Sequence, residues 1–231
     1  MKINKRKLAI FDIDGTVFRS SLLIETTEAL IQSGVFSNQA RKEYLANYKK
    51  WLNRRGSYEN YVDAVVKAFI KNIKGVSRRD FLKVVKKTIA FHQGRIYLYT
   101  RDLIRFLKKE KYYLLAISNS PKIIVEEFCR RLGFNKVYGQ MYEFDKKNKF
   151  TGRILFPELI SNKAKILERA VKKNNFNFKK SIGVGDTESD IAFLKMVEKP
   201  ICFNPNQKLY CYAKQQGWQI TVERKDVIYH L

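Results

Sequence analysis

Apolar residues along this chain fall into three patterns, and each pattern predicts a different kind of element. Uninterrupted runs at residues 8–11 (LAIF), 113–118 (YLLAIS) and 181–185 (SIGVG) suit strands buried on both faces. Runs at 199–203 and 219–222 predict two short final strands. Between the first and second runs the spacing becomes helical. Leu22, Leu23, Thr26, Ala29 and Leu30 form one stripe; Tyr58, Tyr61, Val62, Val65, Val66 and Phe69 form another; Phe81, Val84, Val85 and Ile89 form a third. Gly34, Gly56 and Gly75 punctuate these stripes, and Ser37, Ser57 and Ser77 are expected N-caps of the helices that follow. The aromatic members are expected in a helical core, not around a cofactor. Residues 137–144 and 150–155 alternate around a polar turn at 145–149, which predicts a hairpin. Further helices are expected over 101–109, 121–132 with Gly133 as C-terminal cap, 163–174 and 210–216, with 92–100 leading back from the helical stretch.

Strands that alternate with helices imply an α/β fold with a doubly wound, mostly parallel sheet. The interval between the first two strands is roughly three times the ~30 residues of a simple crossover. The excess is helical, so the pattern predicts an inserted α-helical bundle that caps the carboxyl ends of the strands. The expected division is a Rossmann-like core of residues 1–18 and 94–231 and a cap of residues 19–93.

Composition changes this picture little, except in charge. The 231 residues are 45% hydrophobic, ordinary for a globular chain. Lys and Arg number 46 against 22 acidic residues, a formal net charge of +24. The basic residues are spread through most expected helices, as in Lys49, Lys50, Arg54, Arg55, Lys83, Lys86, Lys87, Arg130, Arg131, Lys172 and Lys173. No basic arm, zinc spacing or nucleic-acid module accompanies them, so no specific nucleic-acid partner is expected. A solvated basic surface is the plain interpretation, and it would draw in a phosphorylated ligand. Cys129, Cys202 and Cys211 are few, odd in number and not spaced for a metal, which fits buried thiols in a reducing compartment. No run approaches the ~18 apolar residues of a membrane span. A cytoplasmic location is expected; oligomeric state is not legible.

The chemistry is concentrated where strands end. Asp12 and Asp14 follow the first strand and lean to the same side of an extended segment. Gly15 permits a sharp turn and close approach, and Thr16 offers a hydroxyl to a neighbouring carboxylate. Ser118 and Asn119 follow the second long run, and Asp186 and Asp190 follow the third in the sequence GDTESD, where one helical turn would stack them. Ligands in open parallel sheets bind beyond the carboxyl ends of the strands. Four carboxylates gathered there repel one another unless a cation sits among them, and an all-oxygen donor set suits Mg2+. Lys163, near the start of a helix, opposes the helix dipole unless it faces an anion.

These motifs, in this order over about residues 7–224, resemble the haloacid dehalogenase superfamily of aspartate-nucleophile phosphohydrolases, and within it the phosphoserine-phosphatase-like subfamily. The resemblance implies that Asp12 is the nucleophile and Asp14 the general acid and base. It implies a Mg2+ site at Asp12, the Asp14 carbonyl and Asp186, supported by Asp190. It implies that Ser118, Asn119 and Lys163 bind phosphate, with Lys165 as the fallback for Lys163. An aspartate at position 14 separates the phosphohydrolases from the dehalogenases and ion-pumping ATPases of the superfamily. The expected activity is Mg2+-dependent hydrolysis of a small phosphorylated metabolite through an aspartyl-phosphate. The alternatives are a phosphotransferase of the same fold, or a basic protein that binds nucleic acid or membrane surfaces with a vestigial hydrolase fold.

In the cap the resemblance to phosphoserine phosphatases weakens. Their amine-binding acidic residue, nine positions after the nucleophile, falls at Ser21, and their carboxylate-binding arginine falls at Asp63. Glu25 lies one helical turn beyond Ser21 and is the substitute within reach. An amino-acid phosphate is therefore not supported, and a neutral or cationic leaving group is expected.

Overall fold

The structure is a computed structural model that describes residues 6–157, 162–174, 176 and 178–231. Residues 1–5 of the expected core segment, and Ser161, which precedes Lys163, lie outside the described residues. The central sheet has eight strands in the order β4-β3-β2-β1-β5-β6-β7-β8. These are β1 (Leu8–Phe11), β2 (Tyr113–Pro121), β3 (Lys136–Phe144), β4 (Phe150–Leu155), β5 (Ile182–Gly185), β6 (Lys199–Phe203), β7 (Gln219–Arg224) and β8 (Val227–His230). Strands β1, β2, β3, β5, β6 and β7 pair in parallel, and the edge strands β4 and β8 run antiparallel. The expected doubly wound, mostly parallel sheet is present.

All four residues of β1 are buried, and alternate side chains leave opposite faces of the sheet. Leu8 and Ile10 pack with Leu167, Phe193 and Leu209, which belong to α7 (Lys163–Asn174), α8 (Ile191–Leu194) and α9 (Gln207–Gln216). Ala9 and Phe11 pack with Ile104 and Leu107 of α5 (Leu98–Lys109) and Phe128 of α6 (Lys122–Leu132). A strand covered on both sides must read as a continuous apolar run, which is why residues 8–11 were legible.

Between β1 and β2 the chain builds α1 (Leu22–Gln32), α2 (Gln39–Leu52), α3 (Tyr58–Ile73) and α4 (Arg78–His92). Phe36, Phe69 and Phe81 form the centre of this insert, with ring centroids 5.9 and 6.1 Å apart. The insert packs on the rest of the molecule through α1 and α4, which lie against α6, and through the β3–β4 hairpin. The Phe18 ring of the core meets His92 of the insert with centroids 6.3 Å apart, and the β3–β4 hairpin lies against the α3–α4 turn through Phe81–Phe150 at 5.0 Å and Gly75 N–H to Phe150 O at 2.7 Å. Ser57 and Ser77 cap α3 and α4 as expected. Ser37 does not cap α2: the cap is Asn38, whose side chain makes no capping bond.

The differences from the expected elements have local causes. Helix α5 starts at Leu98, three residues early, because its N-cap, Tyr97, carries no capping side chain to announce it. Strand β2 continues past Ser118 to Pro121, with a shifted register against β3. Strand β8 was not foreseen, because the turn before it places Lys225 at φ 56°, where Asn or Gly is the usual signal. Helix α9 begins at Gln207, three residues before its expected start, capped by Asn206. Cys129 and Cys202 are buried, but Cys211 is exposed. Among the described residues no helix is long and apolar enough to cross a membrane.

Candidate active site

The carboxyl ends of β1, β2 and β5 bring the polar motifs together. Asp12 continues the line of β1, its N–H donating to Val184 O of β5 at 2.9 Å. It is 5% exposed. The chain then turns at Gly15, whose φ is +80° and where a Cβ would collide with Asp186 Oδ2. Only glycine meets both demands. Thr16 donates its hydroxyl to Asp186 Oδ1 at 3.1 Å, fixing that carboxylate from the opposite loop.

Lys163 is almost fully buried at the first turn of α7 and donates to Asp12 Oδ1 and to Asp190 Oδ1, each at 2.5 Å. A cation at a helix N-terminus is unfavourable in isolation; facing two carboxylates it is held in place. Lys165, the fallback, is exposed. Asp190 does not stack on Asp186 through an α-helical turn. It ends a 3-10 turn, Glu188–Asp190, in which Thr187 and Asp190 form a capping box. Asp190 Oδ2 accepts from the Asp186 and Thr187 N–H groups at 3.0 and 3.1 Å. Both oxygens of Asp190 are therefore engaged, one orienting Lys163 and the other shaping the loop that carries Asp186. Gly185 makes this possible, since a Cβ there would stand 2.6 Å from Asp190 Cγ.

Asp14 has a different environment. Its Oδ1 accepts the N–H of Leu22 at the start of α1, at 2.5 Å, and its Oδ2 accepts the hydroxyls of Ser118 and Ser120, each at 2.8 Å. Ser118 is thus turned toward Asp14, and it does not head a helix, since α6 starts at Lys122 after Pro121. Asn119 is exposed. Ser120 was missed by sequence reasoning. The signal was present in the Ser-x-Ser spacing of Ser118 and Ser120, which places both on one side of a strand.

The electrostatics follow from burial. Burial pushes the Asp12 carboxyl up to about 8, against the pull of Lys163 and with the push of Asp190 and Asp14. Burial, then Asp12 and Asp190, hold Asp186 well above the carboxylate range. Asp14 is also raised by burial, partly offset by the bonds from Leu22, Ser120 and Ser118. Burial disfavours the charge on Lys163, but Asp12 and Asp190 keep it protonated. One oxygen from each of Asp12, Asp186 and Asp190 lies within 4.8 Å of the others. One lysine does not neutralise this group. An all-oxygen donor set under such mutual repulsion fits a hard divalent cation.

The cap-side positions are distributed differently. Ser21 is consumed as the N-cap of α1, accepting from Ile24 N–H at 3.4 Å. Glu25 accepts from Arg95 and Ser20, both at 2.8 Å, and lies 3.2 Å from His92 Nε2. Asp63 is exposed on α3, and no hydrogen bond or ion pair among the described residues engages it.

Sheet order, buried carboxylates and lysine define a hydrolase of the aspartate-centred α/β type, and the sequence relationships agree. The chain belongs to the haloacid dehalogenase-like hydrolase family, whose model matches residues 9–195. It is 22% identical to a histidinol-phosphatase of Neisseria meningitidis over 93% of this chain and 98% of that protein. It is 23% identical to phosphoserine phosphatase SerB1 of Mycobacterium tuberculosis over 92% of this chain and 69% of that protein. In fold it is similar to a phosphoserine phosphatase solved as a phospho-aspartyl intermediate analogue, with a TM-score of 0.63, 22% identity and 96% of each chain covered.

Proposed function

We propose that this hydrolase is a Mg2+-dependent phosphomonoesterase that forms an aspartyl-phosphate on Asp12 and acts on a small phosphorylated metabolite. The observation that carries this reading is the pairing of two unlike carboxylates. Lys163 holds Asp12 by Oδ1, leaving Oδ2 without a partner among the described residues. Asp14, two residues on, is held among the described residues by neutral donors, the Leu22 N–H and the Ser118 and Ser120 hydroxyls. Unlike environments for neighbouring carboxylates are the mark of divided acid and nucleophile roles.

In the first step Asp12 Oδ2 attacks phosphorus in line, the ester P–O bond breaks, and Asp14 gives its proton to the departing alkoxide. To do so Asp14 releases a serine hydroxyl, which is then free to donate to the phosphate. In the second step water attacks the aspartyl-phosphate, Asp14 takes up its proton, and the bond to Asp12 breaks to release inorganic phosphate. Lys163 stays on Asp12 Oδ1 throughout, holding the carboxylate in place for attack and offsetting the charge that returns to it when the aspartyl-phosphate breaks. Mg2+ held by Asp12, the Asp14 carbonyl and Asp186, with Asp190 behind them, would offset the charge of these carboxylates and of the phosphate oxygens. Residues 1–18 and 94–231 serve as the catalytic core, and residues 19–93 as the cap that meets the leaving group.

The histidinol-phosphatase and phosphoserine phosphatase relatives support phosphate-ester hydrolysis but differ in leaving group. The test is phosphate release from a broad panel of phosphomonoesters with Mg2+ present, with and without an alcohol acceptor. Release should be Mg2+-dependent, and Asp12→Asn should reduce kcat by about a thousandfold or more, as expected for loss of a nucleophile. A variant that keeps more than this fraction of activity would refute the covalent step. Transfer to the alcohol in preference to release would replace the hydrolase with a phosphotransferase.

A further inference from the structure

The parallel strands β1, β2, β3, β5, β6 and β7 all start on one face of the core, opposite the acidic crevice. Helices α5, α6, α7, α8 and α9 each end on that face, just before the next strand begins. This topology gathers basic residues that the sequence disperses. The last turns of α5, α6 and α7 carry Lys108 and Lys109, Arg130 and Arg131, and Lys172 and Lys173. Contacts tie these ends into one surface. Lys108 Nζ donates to Leu132 O at the end of α6 at 3.2 Å, and Lys7, before β1, pairs with Glu110 at 3.3 Å. The rings of Tyr113, which opens β2, and Phe176, after α7, lie 4.7 Å apart. Lys180 N–H donates to Glu198 at 2.7 Å, and Lys199 N–H to Ser181 O at 2.9 Å.

The helix dipole accounts for basic side chains at helix C-termini. It does not account for those beyond them. Lys111, Lys136, Lys180 and Lys199 lie in the connections and strand starts, are exposed, and ion-pair with no carboxylate among the described residues. Lys111 and Lys180 stand at φ 59° and 61°, in the left-handed region where glycine or asparagine is the less strained residue. The carboxylates in these same connections, Glu110 and Glu198, are already bonded to Lys7 and to the Lys180 N–H. The face is therefore strongly positive, and its charge is not neutralised from within.

We propose that this amino-end face docks on an anionic lipid bilayer, with the crevice directed away from the membrane into solvent. The charges cover an area, not a track. They extend along six adjacent strands, roughly 24 Å at about 4.8 Å per strand. They also lie on both helix layers, with α5 and α6 on one side of the sheet and α7 and α9 on the other. A nucleic acid is held instead along a stripe, by elements that enter a groove or by rings that stack on bases. Here the connections at residues 110–112 and 133–135 are too short to enter a groove. The tyrosine rings near the face, Tyr112, Tyr138 and Tyr212, already lie under Lys7, Lys136 and Lys195, at 5.2, 5.9 and 5.0 Å. Lysine is a compact, hydrated point charge, suited to attraction by a lipid surface that imposes no fixed pairing geometry.

The experiment is co-sedimentation of the full chain with phosphatidylcholine vesicles, with and without phosphatidylserine, at low and at high salt. Binding should require phosphatidylserine and weaken steeply with salt. One variant combines Lys109→Gln, Lys111→Asn, Lys173→Gln and Lys180→Asn, asparagine being suited to the left-handed turns. It should bind about a hundredfold more weakly or worse, at roughly fivefold per lysine near an anionic surface. A control variant combines Lys49→Gln, Lys50→Gln, Lys86→Gln and Lys87→Gln, removing the same charge from α2 and α4 of the insert, and should bind much as wild type does. Melting temperatures close to wild type verify that both variants fold. Equal weakening in the two variants overturns the proposal, because net charge and not this face would then be acting. Binding to neutral vesicles as strong as to anionic ones, or to neither, also overturns it. Binding to duplex DNA tighter than to anionic vesicles at the same salt, and lost in the first variant, assigns the face to nucleic acid and overturns the membrane.

Discussion

Lys163 is the residue on which the site's geometry turns. It is buried between Asp12 and Asp190, and its removal leaves two carboxylates facing each other without a cation. Breaking one side of a buried ion pair costs roughly 3–5 kcal/mol, so Lys163→Ala should lower the unfolding free energy in metal-free buffer by about that amount. Lys165→Ala, at an exposed position on the same helix, should stay within about 0.5 kcal/mol of wild type. Urea unfolding of the two variants decides it, and equal effects would contradict the burial described. The aspartates were legible in sequence because two residues apart at a strand end means one shared space. The choice between Lys163 and Lys165 was not, because positions two apart on a helix point about 200° from one another, and only the packing of α7 on the sheet sets which one faces in. Ser120 was hidden because the strand was taken to stop at Ser118, two residues short of it.

Elements were legible where one physical signal dominated them. Continuous burial marked β1 and β5, and a left-handed glycine, Gly133 at φ 77°, marked the end of α6. Elements that lean on tertiary contacts were blurred, as with β8, whose hairpin turn has no glycine. Helix α4 is a case where the local signal is also an energetic device. Ser77 accepts the Asp80 N–H at 3.1 Å and donates its hydroxyl to Asp80 Oδ2 at 2.7 Å. The Ser77 bond lowers the Asp80 carboxyl below its ordinary value of 3.8, burial opposes this, and Arg79 adds to the lowering. A carboxyl lowered in the folded state stabilises that state above its unfolded value and loses this effect as pH falls through its folded value. Asp80→Asn should therefore melt below wild type at neutral pH, and the gap should close as pH is taken below about 4. A gap that persists in acid would show that the ionised carboxylate is not what holds the turn. Because this turn carries the contacts of the insert to the β3–β4 hairpin, the same melts report on the joint between insert and sheet.

At the scale of the whole molecule, two charge distributions oppose each other. The surface carries an excess of cations, spread over α2, α4, α6 and the β3–β4 hairpin, while the crevice at the strand ends gathers four aspartates around one lysine. A basic exterior steers phosphorylated molecules toward the protein and makes their capture sensitive to salt. The acidic crevice accepts them only if its own repulsion is first relieved. Metal binding should then appear as stability as well as activity. A ligand that binds only the native state adds about 2.7 kcal/mol at a hundred times its dissociation constant, worth roughly 5–10 °C in melting temperature for a chain of this size. Saturating Mg2+ should raise the melting temperature of wild-type protein by about that much over an EDTA control. Asp186→Ala should lose most of the increment, because it removes a carboxylate pushed up by burial and by Asp12 and Asp190, and ion-paired with no cation among the described residues. Asp190→Ala should lose less of it, since both Asp190 oxygens already serve Lys163 and the loop. Equal melting in Mg2+ and EDTA, or an Asp186→Ala protein that responds as wild type does, would place the metal elsewhere or remove it from the mechanism.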